Sequence, residues 1–247
     1  LLKSHLFSLL GVSLIVNLIW FAVIGWPARI LYQQWQTLGD IGKGDELVAV
    51  GVLGATLAVG ILSAPLSAYA MAVMIRLALR ISRYGQRSPL GLRSAMGELW
   101  VPLAVTMRLT VLFILMGFTL FAVLMVGLFV VIALSLAMDP KQAVLLGTFG
   151  LGSILIAIVF LFQWLMWPVT FLIADERGNF AAAFSGGISL ARQHRRLSLS
   201  LVTVYFVLAT VGSLLLYVGQ IVTTPVAMMA LAIGYLQMTG GQRFLRS

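Results

Sequence analysis

Six stretches of this chain, residues 6–24, 47–75, 109–137, 143–167, 197–217 and 221–238, hold no charged side chain and no histidine. They are apolar almost throughout, and each approaches or exceeds the roughly 20 residues that a helix needs to cross bilayer hydrocarbon. Backbone N–H and C=O groups find no water there, so such runs are restricted to helices that satisfy their own hydrogen bonds. Across the whole chain 9% of residues are charged, against roughly a quarter in soluble domains. The expected fold is therefore all-α: one helical membrane domain over residues 1–247, with six transmembrane helices. The absence of cysteine excludes a disulfide scaffold, a cysteine-ligated metal and a thiol enzyme.

Between the runs the charge is distributed unevenly. Lys3, Arg76, Arg80, Arg83, Arg87, Arg93, Arg108, Arg177, Arg192, Arg195, Arg196, Arg243 and Arg246 fall on one side of a six-span layout. Arg29, Lys43 and Lys141 fall on the other, beside Asp40, Asp45, Glu46 and Asp139. Cytoplasmic loops carry the excess of Lys and Arg, so both termini are expected in the cytoplasm, in a cytoplasmic (inner) membrane. The net charge of +9 is explained by this asymmetry. Nucleic acid is not an expected partner, because no motif interleaves basic and aromatic residues.

Three local patterns stand out. Arg76, Arg80, Arg83 and Arg87 are spaced four, three and four apart, one face of a helix if the second run continues past the membrane. With Arg93 they form either a grip on anionic headgroups or ordinary topogenic charge. Residues 180–192 follow Asn179, a helix-capping residue type, with Asp175 and Glu176 before the start and Arg192, Arg195 and Arg196 around the end; these signs agree with a helix dipole. Phe180, Phe184, Ile188 and Ala191 share a face there, which predicts an amphipathic helix at the cytoplasmic interface, as docking element or plain connector. Pro65, Pro168 and Pro225 fall in or at the ends of the even-numbered runs and predict kinks. Trp20, Trp26, Trp100, Trp164 and Trp167 lie near run ends and are expected as interfacial anchors.

Proton-coupled and metal transport call for carboxylates or histidines deep in a span, and the runs contain none. The polar groups at mid-membrane depth include Asn17, Gln163, Thr110, Thr119, Thr203 and Thr210, with Gln220 nearer the outer surface, more often helix-to-helix hydrogen bonds than ligands. No catalytic residue, cofactor or metal is expected. Gly147, Gly150 and Gly152 lack the strand and turn of a phosphate-binding loop.

Trp167-Pro168-Val169 through Ala174-Asp175, then Ala181-Ala182-Ala183-Phe184-Ser185 and Leu190-Ala191-Arg192, resemble a broad bacterial and archaeal superfamily of six-span proteins. It includes the membrane domain accompanying some glycerophosphodiester phosphodiesterases and several uncharacterised inner-membrane families. Thr224-Pro225-Val226 through Ala232-Ile233-Gly234-Tyr235 is similar to their last span. The resemblance implies an all-helical inner-membrane fold, often an accessory to another protein, without the phosphodiesterase domain or any catalytic residue.

The expected function is a non-enzymatic accessory or structural subunit. Arg76, Arg80, Arg83, Arg87, Arg93, Arg192, Arg195 and Arg196 would bind anionic lipid or a protein partner, with homo-oligomerisation the other possibility. The alternative is a permease or channel for a lipid or apolar small solute, lined by the proline-bearing helices.

Overall fold

The computed structural model describes residues 2–25, 29–30, 33, 46–84, 95–137, 142, 150, 152–214 and 218–240. Every described element is helical: α1 (Leu2–Trp20) with a π turn (Phe21–Gly25), α2 (Glu46–Tyr84), a 3-10 turn (Gly97–Leu99), α3 (Leu103–Ala137), α4 (Gly152–Ala174), α5 (Phe180–Gln193), α6 (Arg195–Leu214) and α7 (Val218–Met238). Among the described residues, five segments are long and apolar enough to cross a membrane: Ser63–Arg83, Leu103–Gly127, Gly152–Ala174, Arg195–Leu214 and Ile221–Met238. The chain is thus multi-pass by length and composition. The apolar part of α1, Ser8–Ile19, is shorter.

Helices α2 and α7 hold the bundle together, because α7 touches α1, α2, α4 and α6 while α2 touches α1, α3, α4 and α7. One core joins Leu9 and Val12 of α1, Val73 to Ile81 of α2, Trp167 and Phe171 of α4, and Met228 to Met238 of α7. A second joins Ala68 and Ala72 of α2 to Val105, Leu109 and Leu112 of α3, Val169 and Ile173 of α4, and Ala183 of α5. In the last turns of α2 nearly every apolar side chain is buried, so Arg76, Arg80 and Arg83 occupy the one stripe left over. By contrast Leu103, Met107, Val111, Leu115, Phe118 and Phe129 of α3 are exposed. On a membrane helix that is the face turned to lipid.

The fourth helix reaches further than its apolar run, 143–167, and Ala174 is its last residue. Trp167 therefore lies two turns inside the helix and is not an interfacial anchor: it is 2% exposed, packs edge-on against Phe171 and donates from Nε1 to Ser198 Oγ at 2.9 Å. The helix continues because Thr170, Phe171, Ile173 and Ala174 are still buried between neighbours. Trp100, 87% exposed at the start of α3, has the environment expected of an anchor. Trp26 lies outside the described residues.

All three prolines sit inside helices that continue through them. Pro225 has no N–H to give the Ile221 carbonyl four residues back, and Ser13 of α1 supplies the missing donor at 3.1 Å. Asn17 in turn donates to the Ser13 carbonyl at 2.8 Å. The break in α7 is thereby converted into a helix-to-helix bond, which is how membrane helices accommodate proline.

Helix α5 folds back on α4. Gly187 is its eighth residue, about 10 Å along, and Val169 precedes the end of α4 by about 8 Å at 1.5 Å per residue. Yet a Cβ on Gly187 would fall 2.7 Å from the Val169 backbone, so the two chains touch where only hydrogen fits. Ala183, Gly187 and Ala191 face this seam, while Ser185, Ser189 and Arg192 are exposed. The adjacent Gly186 has ordinary room, with Leu172 at 3.7 Å. Gly187→Val should therefore lower stability by about 1–3 kcal/mol, whereas Gly186→Ala should be neutral or slightly stabilising. Thermal unfolding in detergent, followed by helical circular dichroism, separates them.

Candidate functional site

The most polar place in the described bundle is the end where α2, α4 and α7 finish. The turn after α4 is built to hold carboxylates there. Its backbone closes with Arg177 N–H donating to Leu172 O and Glu176 N–H to Ile173 O, both at 3.1 Å, the paired bonds of a Schellman stop. That motif puts one residue in the left-handed region, usually glycine, and here it is Glu176 at φ +57°. Gly178 follows at φ +81°. Asn179 then caps α5, its side chain accepting from Ala182 N–H at 2.8 Å.

A left-handed glutamate costs on the order of 1 kcal/mol, and its carboxylate supplies a compensating contact by accepting from Arg76 Nη1 at 2.6 Å. Asp175 beside it is 9% exposed at its side chain. Asp175 Oδ2 accepts from Arg83 Nη2 at 2.7 Å, Arg177 Nε at 2.7 Å and the Tyr235 hydroxyl at 3.1 Å. Arg177 also lies over the Tyr235 ring, 5.8 Å from its centroid. One carboxylate therefore joins the ends of α2, α4 and α7.

Glu98 provides the third anion. Its place is fixed by the 3-10 turn, which Tyr69 of α2 holds by donating to the Leu99 carbonyl at 2.7 Å and which Ala95 anchors in the core. Glu98 accepts from Arg76 Nε at 3.3 Å and from Arg80 Nη1 at 2.7 Å. Arg108 of α3 closes the periphery by donating to the Gly178 carbonyl at 3.1 Å. Around these groups runs a cleft of about 280 Å³ lined by Arg76, Arg80, Arg83, Glu98, Asp175 and Glu176.

The arginines expected to form one free basic face thus divide. Arg76, Arg80 and Arg83 do share a face of α2, but each is paired with an acid inside the protein. Arg192, Arg195 and Arg196 are exposed at the joint between α5 and α6 and have no ionic or hydrogen-bond partner among the described residues. Arg87 and Arg93 lie outside the described residues. Glu98, Asp175 and Tyr235 are the site residues that sequence reasoning missed. A usable signal existed, since of the seven acids only Glu98, Asp175 and Glu176 fall on the strongly basic side of the predicted topology. All three end on arginine. Among the described residues no group of three or more His, Cys, Asp or Glu is placed to hold a metal.

Comparison of the chain with protein-family models, with curated proteins and with solved structures returns no match.

Because Asp175 collects three donors with little water to replace it, Asp175→Asn should destabilise the protein by about 2–4 kcal/mol. Tyr235→Phe, which removes one donor and leaves the ion pairs, should cost about 1 kcal/mol. Glu176→Gly exchanges a half-exposed pair for relief of backbone strain, and its effect should stay within about 1 kcal/mol. Chemical denaturation in a fixed micelle ranks the three variants.

Proposed function

We propose that the protein is a non-enzymatic accessory or structural subunit of the cytoplasmic membrane, whose α5–α6 joint binds anionic lipid headgroups. In this reading α1 is a sixth span, both termini are cytoplasmic, and α5 sits at the inner headgroup level. The five long apolar helices and the one-sided distribution of arginine support it, as does the resemblance in layout to the six-span accessory families. The observation that carries it is the contrast between the two sets of arginines. Those on α2 are neutralised within the fold, whereas Arg192, Arg195 and Arg196 stand exposed on the same side of the chain. A protein partner, or a second copy, would be recruited alongside that lipid.

Each basic side chain near an anionic surface contributes about 1 kcal/mol, so three contribute about 3 kcal/mol, roughly a hundredfold in preference. The triple variant R192Q/R195Q/R196Q should lose about that much selectivity for phosphatidylglycerol over phosphatidylcholine in native mass spectrometry from mixed micelles. The wild-type preference should weaken with added salt. Arg83→Gln serves as the contrast, since it should reduce stability and leave lipid selectivity intact. Unchanged selectivity in the triple variant would remove the basis for the reading.

A further inference from the structure

Away from the charged end, a cavity of about 650 Å³ opens between α1, α2 and α7, with Phe113 of α3 and Tyr205 of α6 at its walls. On α7 it extends from Ile221 to Met228. Those residues precede Tyr235 by fourteen and seven positions, about 20 and 10 Å along the helix, while on α2 the lining climbs from Ser67 to Met74, two residues short of Arg76, so all but its upper end lies well below the ion pairs. That is hydrocarbon depth in a bilayer whose apolar core is about 30 Å thick. Its size falls within the roughly 300–1,000 Å³ of small-molecule sites.

Among the described residues the lining is mainly apolar and contains no charged side chain. Met71, Met74 and Met228 contribute unbranched, adaptable surface. Its polar groups are not all satisfied. Thr110, Thr119, Thr203 and Thr210 each donate to the carbonyl four residues back in their own helix. Thr224 makes no such bond, and among the described residues neither it nor Tyr205 has a hydrogen-bond partner. Asn17 uses its Nδ2 on Ser13 and its Oδ1 receives no donor there. Hydroxyls and an amide carbonyl left unpaired in a dry, apolar space carry a penalty of about 1–3 kcal/mol each. They favour an occupant that brings oxygen of its own.

We propose that this cavity is a binding site for one uncharged lipid that carries a carbonyl or hydroxyl group at mid-membrane depth. Tyr205 and Thr224 donate to its oxygen, Asn17 Oδ1 accepts from a hydroxyl where one is present, and the methionines and Phe113 surround its hydrocarbon. With no cation or acid among the described lining residues, the cavity disfavours a phosphate-bearing headgroup, because a charge buried at that depth without a partner is costly. Two sources share this chemistry, a glyceride and a prenylated or alkylated quinone. The site is separate from Arg192, Arg195 and Arg196, and neither reading depends on the other.

The test uses purified full-length protein in dodecyl maltoside with three probes: 1,2-dioleoylglycerol, a decyl-substituted benzoquinone, and hexadecane as hydrocarbon without oxygen. Native mass spectrometry and thermal shift follow binding. Wild type should take up one equivalent of at least one oxygen-bearing probe, at least tenfold tighter than hexadecane, and the tighter of the two identifies the source. The double variant Y205F/T224V should lose that tenfold margin while unfolding at or above the wild-type temperature in the absence of probe. Ala70→Phe, which places a ring in the cavity, should abolish uptake. R192Q/R195Q/R196Q should bind the probe as wild type does, so failure of the headgroup reading and failure of this site are told apart. Absence of saturable uptake of both oxygen-bearing probes, hexadecane binding as tightly as they do, or undiminished uptake by Y205F/T224V would overturn the proposal.

Discussion

A stripe of arginine at the end of a helix whose neighbouring side chains are buried is tolerable only if anions meet it, and the rest of the architecture follows from that requirement. Arg76, Arg80 and Arg83 emerge from a length of α2 whose other faces are buried. Taking guanidinium groups out of water without partners would cost several kcal/mol each. Glu98, Asp175 and Glu176 arrive from two different connections to supply the charge, so the 3-10 turn before α3 and the turn after α4 are both held against α2. The same anions set the helix order in space. Asp175 also takes the Tyr235 hydroxyl, which ties the end of α7 to the layer.

Below this layer the helices are joined by neutral contacts, each created where the sequence departs from a regular apolar helix. Proline at 225 frees a carbonyl that Ser13 takes up. Glycine at 187 removes the side chain that would keep α5 off α4. Gly234 of α7 leaves room for the Leu201 side chain of α6, whose Cδ1 occupies the place of a Cβ. Helices in lipid gain little from hydrophobic association alone, so close backbone approach and buried hydrogen bonds carry more of the specificity. The Trp167–Ser198 bond between α4 and α6 belongs to this set.

The helical class and the presence of several helices long and apolar enough to cross a membrane were legible from charge-free runs, since burial of a backbone in hydrocarbon admits few alternatives. The spacing of Arg76, Arg80 and Arg83 correctly put them on one face. What that face meets was not legible, because Glu98 lies 22 residues from Arg76 and Asp175 lies 92 residues from Arg83, and helix periodicity carries no information across such distances. The end of α4 was misjudged for a related reason. Trp167-Pro168 looks like a terminus in a linear reading, whereas the neighbours of Val169 and Phe171 in three dimensions make another two turns of helix worth burying. The cavity was invisible to sequence: Ser13, Ser67, Tyr205 and Thr224 come from four helices, and only their convergence distinguishes them from routine packing.

The relation between the ion-pair layer and the cavity bears on the choice between a binding site and a transport path. Met74 lines the cavity and Arg76, two residues further along α2, lines the charged cleft. A solute passing from the cavity to the charged end would have to separate α2 from the turns bearing Glu98 and Asp175. Breaking such partly buried pairs without replacement leaves Glu98 and Asp175, the least exposed members, without their partners, at a cost between that of exposed and of fully buried pairs. Nothing in the neutral lining of the cavity offsets that cost. An uncharged lipid entering from the membrane leaves the layer closed and satisfies hydroxyls that are otherwise unpaired. On the proposed reading of the cavity, an intact ion-pair layer at the charged end favours retention of a lipid over its passage.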